Sequence, residues 1–153
     1  MGSLRYYRPN KNGTGTALEI VVFPTENKWE PFCVMMTMAK QIGVATEDST
    51  NASFSWTEGA IKVKLGSLDI GSLLSVINGI QPKKSLFHQT PLPKGGSKAI
   101  DFNRNENGSI YVKVSAMDID KKSLGSLQII LSIEEIEILR VLLTRAVELT
   151  FGW

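Results

Sequence analysis

The chain has 153 residues, of which 42% are hydrophobic and 21% charged, with a net charge of +2. That length suits one domain able to bury roughly two-thirds of its unfolded surface, and a pI of about 8.7 is too mild to indicate a nucleic-acid partner by itself. One cysteine, Cys33, excludes an intramolecular disulfide and a thiolate zinc cluster, and without an apolar run of ~18 residues or a signal-peptide h-region the expectation is a soluble protein of a reducing, cytoplasmic compartment with no membrane partner.

Residues 1–16, rich in Gly, Asn, Arg and Tyr, read as a flexible basic and aromatic arm, with residues 17–153 as the domain. Residues 18–23 then predict a strand ended by Pro24, and residues 33–39 a second. Cys33 opens the apolar run of that second strand and is expected to be a buried structural thiol. Residues 52–56 predict a third strand after a polar loop at 47–51, and residues 60–65 a fourth. In the fourth, Ile61, Val63 and Leu65 alternate with Lys62 and Lys64, the period of two that a half-buried strand requires. The period then changes: Leu68, Ile70, Leu73, Leu74 and Ile77 recur at helical spacing, with Ser67 as the predicted cap and Asn78-Gly79 as the stop.

The pattern restarts beyond this helix. Residues 85–90, 98–104, 109–116 and 127–131 predict four more strands, with a hairpin turn at Asn105-Glu106-Asn107-Gly108. A capping box, Ser132 with Glu135, opens a final helix that runs almost to Trp153. An offset of about 66 residues lays Ile61, Val63 and Leu65 on Leu127, Ile129 and Leu131, and Leu73 on Leu139, as an internal repeat does. The halves span about 17–80 and 84–153. The fold class is α+β, built from a duplicated β-β-β-β-α unit.

Nothing in the sequence predicts catalysis. His88, the single histidine, has no cysteine or clustered carboxylate beside it and reads as a surface or hydrogen-bonded structural residue. Walker, Rossmann and nucleophile-elbow motifs are missing, and Asp118, Asp120 and Glu106 are too dispersed for a metal loop. Lys94-Gly95-Gly96-Ser97-Lys98 is basic and glycine-rich but does not join a strand to a helix, so it reads as a mobile loop that could close over a bound strand. No catalytic residue, metal site or cofactor is expected.

The segment Phe54-Ser55-Trp56, followed after a short turn by Ile61-Lys62-Val63-Lys64-Leu65 and Asp69-Ile70-Gly71-Ser72-Leu73, resembles the third strand, fourth strand and first helix of the Whirly family of single-stranded DNA-binding proteins. Ser85-Leu86-Phe87-His88 with Pro91 and Lys94-Gly95-Gly96 resembles the fifth strand and its loop, and Phe151-Gly152-Trp153 resembles the family's closing Gly-Trp. The likeness runs from about Leu18 onward and extends in fold to the positive-cofactor-four coactivators and the kinetoplastid guide-RNA-binding proteins. It implies two antiparallel four-stranded sheets packed with two helices, a homotetramer formed through the helices, and a single-stranded DNA partner, with RNA as the alternative. One departure stands out. The stretch Asn12 to Leu18 lacks the lysines of the plant KGKAAL-type motif, which withdraws support for large assemblies of tetramers and for a plant-specific role, and leaves a nucleoid-associated or virus-infected bacterial setting open.

Sequence-tolerant binding of a single strand combines aromatic rings that stack on bases with cations that track phosphates. On residues 109–116, Ile110, Val112 and Val114 are expected inward, which turns Tyr111 and Lys113 outward; Lys62 and Lys64 form a similar outward pair. Candidate nucleic-acid-binding residues are Arg5, Tyr6, Tyr7, Arg8, Lys28, Trp29, Trp56, Lys62, Lys64, Lys94, Lys98, Arg104, Tyr111 and Lys113. The outward lysines are equally readable as a solvated sheet face, and Trp29 and Trp56 as either core or platform. Phe87 and Phe102 are expected in the core, because Phe lacks the polar edge that tolerates exposure. The functional expectation is a single-stranded DNA-binding protein of replication, recombination or repair. An RNA-annealing protein and a protein-interaction module are the alternatives.

Overall fold

The computed structural model describes residues 3–46 and 51–153; all but Asn51 of the loop expected at 47–51 lies outside them. The elements are β1 (Ser3–Arg8), β2 (Thr16–Pro24), β3 (Phe32–Gly43), β4 (Ser53–Ser55), β5 (Ile61–Leu65), α1 (Ser67–Ile77), β6 (Lys83–Gln89), β7 (Ser97–Arg104), β8 (Ile110–Met117), β9 (Ser123–Leu131) and α2 (Ile133–Phe151). Two antiparallel sheets result. The second is a meander, β6-β7-β8-β9; in the first, β1 pairs with β2, β2 with β3, and both β4 and β5 pair with the far edge of β3. Lys40–Gly43 of β3 meets β4 and Val34–Met38 meets β5, so the two short strands lie end to end and the sheet is four strands wide. This is the expected α+β arrangement of two four-stranded sheets and two helices.

The route to four strands corrects one expectation. Composition suggests an arm over residues 1–16, yet Ser3–Arg8 is the first strand, paired from Ser3↔Val21 to Arg8↔Thr16. Its alternation is muted because the inward residue after Leu4, which packs against the core, is a tyrosine: Tyr6 is 7% exposed, opposite Leu18, between outward Arg5 and Tyr7. The phenol hydroxyl of Tyr6 donates to Glu135 O at 3.0 Å, which satisfies the polar edge that burial would otherwise penalise.

Both sheets turn one face to a shared core. Leu18, Ile20, Met36, Met38 and Leu65 from the first join Ile100, Phe102, Val112, Val114 and Leu131 from the second, with Leu73, Leu139 and Leu143 of the helices. Each fully buried side chain of this kind contributes roughly 1.5–3 kcal/mol. Phe102 is in the core as expected. The helices close the assembly through α1 against α2 and both against the sheets. The box at the start of α2 forms as read, with Ser132 Oγ accepting from Glu135 N (3.3 Å) and Glu135 Oε2 from Ser132 N (2.9 Å). At α1 the cap is Gly66 rather than Ser67, and Asp69 Oδ2 accepts from Gly66 N at 3.0 Å.

The halves repeat in order more than in spacing. Leu65 pairs with Val34 and Leu131 with Ile110, so the offset of about 66 that relates the last strands and the helices does not relate the strands before them. Among the described residues, no helix is long and apolar enough to cross a membrane.

Candidate nucleic-acid interface

The face of the first sheet that turns away from the core is set by strand alternation. Cross-strand pairing places Arg5, Glu19, Thr37 and Lys62 in one row over β1, β2, β3 and β5, and Tyr7, Ala17 and Ala39 in the next. Ala17 and Ala39 are fully buried although they point away from the core. Phe54 of β4 and Trp56, in the turn between β4 and β5, meet Tyr7 beside this alanine pair. The Tyr7 ring centroid is 5.4 Å from Phe54 at 53° and 6.3 Å from Trp56 at 88°. The turn holds itself in place, with Ser55 Oγ donating to Glu58 O at 2.7 Å.

Arg5 completes the cluster. Its Cζ lies 5.5 Å from the Trp56 ring centroid, a cation–π distance, and its Nε donates to Glu19 Oε1 at 2.7 Å. The Glu19 hydrogen bond and charge hold the guanidinium pKa above its ordinary value. Beside the rings, Tyr7, Pro9, Asn51, Ala52 and Phe54 line an open cleft of about 430 Å³. Three rings, a guanidinium and the exposed Lys62 thus share one face.

The second sheet carries a sparser version. Phe87 corrects the expectation of a core residue: it is 66% exposed, because Leu86 and Ile100 take the inward positions of that pair of strands and alternation turns Phe87 outward over Ala99 and, on β8, Ser115. Tyr111 and Lys113 share this face. The Tyr111 hydroxyl hydrogen-bonds to Gln128, and Lys113 is in register with Asp101.

Between the sheets runs a groove of about 400 Å³ lined in part by Gly59, Ile61, Lys94, Gly95, Lys98 and Met117. Lys98 Nζ donates to Lys62 O at 2.5 Å across it. Burial, reinforced by the neighbouring Lys94 charge, lowers the Lys98 pKa. Gly95 sits at φ +64°, and a Cβ there would lie 2.8 Å from Ile119, so only glycine lets this loop pack against the segment after β8.

The remaining candidates are placed elsewhere. Tyr6 is buried and Arg8 contacts Glu135 and donates to Ile130 O at 3.1 Å, so both tie β1 to β9 and α2 instead of facing a ligand. Arg104 donates to the carbonyls of Val76 and Ile77 at the end of α1. Lys64 Nζ is 3.2 Å from Glu30 Oε2. Lys28 and Trp29 occupy the β2–β3 turn, at the opposite end of that hairpin from the ring cluster, where Trp29 is 93% exposed. His88 Nε2 lies 3.1 Å from Asp69 Oδ2, as a hydrogen-bonded structural histidine does. Cys33 is buried, and burial raises its thiol pKa. Among the described residues no group of His, Cys, Asp or Glu could hold a metal ion.

Phe54 and Phe87 belong to the aromatics that the sequence offers, Phe87 as a core residue, whereas Glu19 is not among the expected site residues. Each was recoverable from alternation: Phe54 shares parity with Trp56, Phe87 is flanked by inward Leu86, and Glu19 by inward Leu18 and Ile20.

No protein-family model and no curated protein matches the sequence. Solved structures do match. The plant transcriptional regulator PBF-2 superposes with a TM-score of 0.74 at 17% identity, over 100% of this chain and 92% of that one. WHY3 from Arabidopsis thaliana gives 0.72 at 18%, over 100% and 90%. A guide-RNA-binding protein complex bound to a gRNA gives 0.67 at 15%, over 99% and 92%. At such identities the likeness speaks for the backbone, and the chain therefore has the Whirly-like fold, a duplicated β-β-β-β-α unit shared with plant regulators and guide-RNA-binding proteins.

Proposed function

We propose that this chain binds single-stranded nucleic acid on the outer faces of its sheets, largely independently of sequence and without catalysis, as a single-stranded DNA-binding protein of replication, recombination or repair. The observation that carries the reading is the cluster of Tyr7, Phe54 and Trp56 with Arg5 beside Ala17 and Ala39. Rings held away from the core on a rigid sheet, beside a cation, are what an unpaired base requires and a duplex, whose bases are stacked inside, does not. Lys62, Lys94 and Lys98 lie where a strand leaving the cluster would pass between the sheets. RNA is the second reading, supported by the gRNA-bound complex of the same fold.

Self-association belongs to the proposal. Ile138 and Val141 are exposed along α2, and with Leu142 and Leu149 they border an apolar groove against Leu4 and Val22. Such a stripe fits a helix-mediated homotetramer, which light scattering after size exclusion would show as four chain masses.

Fluorescence anisotropy of a labelled strand of about 30 nucleotides, with matched RNA and duplex, tests the function. Binding to the single strand over the duplex, weakening with salt, supports it. Absence of binding to all three at low salt removes the functional reading and leaves the fold as it stands.

A further inference from the structure

Glu19 is an anion in the same row as Arg5 and Lys62, where the proposed ligand is a polyanion. It sits on β2 in the row between Arg5 and Thr37, and its side chain is 19% exposed. Arg5 Nε takes one carboxylate oxygen at 2.7 Å, and among the described residues the other oxygen has no partner. Arg5 is itself held over Trp56. The arrangement therefore presents, beside a stacking ring, a fixed carboxylate with one free acceptor and a second shared with a guanidinium.

We infer that Glu19 reads the Watson–Crick edge of a base stacked on this cluster and gives the surface a preference for guanine. The inference rests on the nucleic-acid reading of the face. An ionised carboxylate only accepts hydrogen bonds, and single-stranded bases are read on their Watson–Crick edges while stacked on aromatic or guanidinium planes. Guanine alone presents two adjacent donors on that edge, N1–H and the N2 amino group, spaced to meet two carboxylate oxygens. Adenine and cytosine offer one amino group each. Thymine and uracil flank a single N–H with two carbonyl oxygens, which a carboxylate repels. Stacking still accepts every base, so the selection is graded and sits on top of sequence-tolerant binding. Arg5 acts as a positioning residue, fixing the carboxylate against the ring.

The test compares thymidine strands of about 30 nucleotides carrying isolated guanines, isolated inosines, or neither, bound to the wild-type chain and to Glu19→Gln. Charge-assisted hydrogen bonds predict that wild type holds the guanine strand roughly tenfold tighter than the all-thymidine strand. Inosine, which lacks the N2 amino group, falls between them. In Glu19→Gln the guanine-to-thymidine ratio drops to within about twofold, a loss of most of that tenfold preference. Equal affinities in the wild type, or a ratio that survives Glu19→Gln with both strands shifted by the same factor, overturn the inference while leaving the binding function intact. If no strand binds, the functional reading of the face fails, and this inference with it.

Discussion

The outer faces of the two sheets come from one repeated plan and have diverged. On the first, three rings converge beside an alanine pair, and Arg5 is fixed between Trp56 and Glu19. On the second, Phe87 has no ring partner among the described residues, Tyr111 is tied to Gln128, and Lys113 faces Asp101. The difference has a local origin. Where β8 pairs continuously with β9 apart from one register shift near Met117, the matching edge of β3 is shared by β4 and β5, and the turn between them frees Trp56 to meet Tyr7. The shared core fixes two scaffolds, and an interruption in one edge strand makes one of them a platform.

The sharpest break of this contrast is Trp56→Ala. Losing one base stack removes roughly 1–3 kcal/mol, or about 5- to 150-fold in affinity for a single strand; anisotropy titration reads it directly. Phe87→Ala on the sparser face should cost less, at the lower end of that range, about fivefold. If the two substitutions weaken binding equally, the faces contribute alike and the asymmetry has no functional weight.

Within β1 the same contrast separates platform from strut. Tyr7 faces outward while Tyr6 hydrogen-bonds inward to Glu135 O, so Tyr6→Phe should lower unfolding free energy by about 1 kcal/mol and leave strand affinity unchanged. Denaturant unfolding beside anisotropy would separate the effects. Burial, with the Glu135 charge added, raises the Tyr6 phenol from 10.0 to about 12. A pKa raised on folding means that the unfolded chain loses its proton first. The stability contributed by the neutral phenol is therefore full below pH about 10 and drains away as pH climbs toward about 12. Tyr6→Phe should flatten that alkaline decline in a pH series of denaturation midpoints.

The smallest expected effect is electrostatic. Arg5, Arg8 and Lys64 already face carboxylates, whereas Lys62 forms no ion pair among the described residues. Lys62→Ala should reduce the slope of log affinity against log salt by about 0.7, the value for one phosphate contact on a single strand. An unchanged slope would place the phosphate path away from β5.

Much of the fold was legible because burial follows period. Ile61, Val63 and Leu65 announced a half-buried strand, and Ser132 with Glu135 announced the start of α2; both formed as read. The strand at Ser3–Arg8 was not legible, since an inward tyrosine between arginine and tyrosine has no hydrophobic contrast and acquires its role only when Glu135, far along the chain, accepts its hydrogen bond. The site was half legible for a similar reason. Tyr7, Trp56, Arg5 and Lys62 are recognisable by residue type, and their convergence depends on register. Arg8 and Arg104 are of the same residue type, but tertiary pairing with Glu135 and with the α1 carbonyls takes them elsewhere. Hydrophobicity alone puts Phe87 in the core, whereas its neighbour Leu86 already holds the inward position.

The most direct test of the platform is a chain whose only tryptophan is Trp56, made by Trp29→Phe and Trp153→Phe, titrated with single-stranded DNA. Base stacking on the indole predicts a saturable quench of its emission that tracks anisotropy and does not occur with duplex. Anisotropy that reports binding while Trp56 emission stays unchanged would contradict the assignment of this face as the interface.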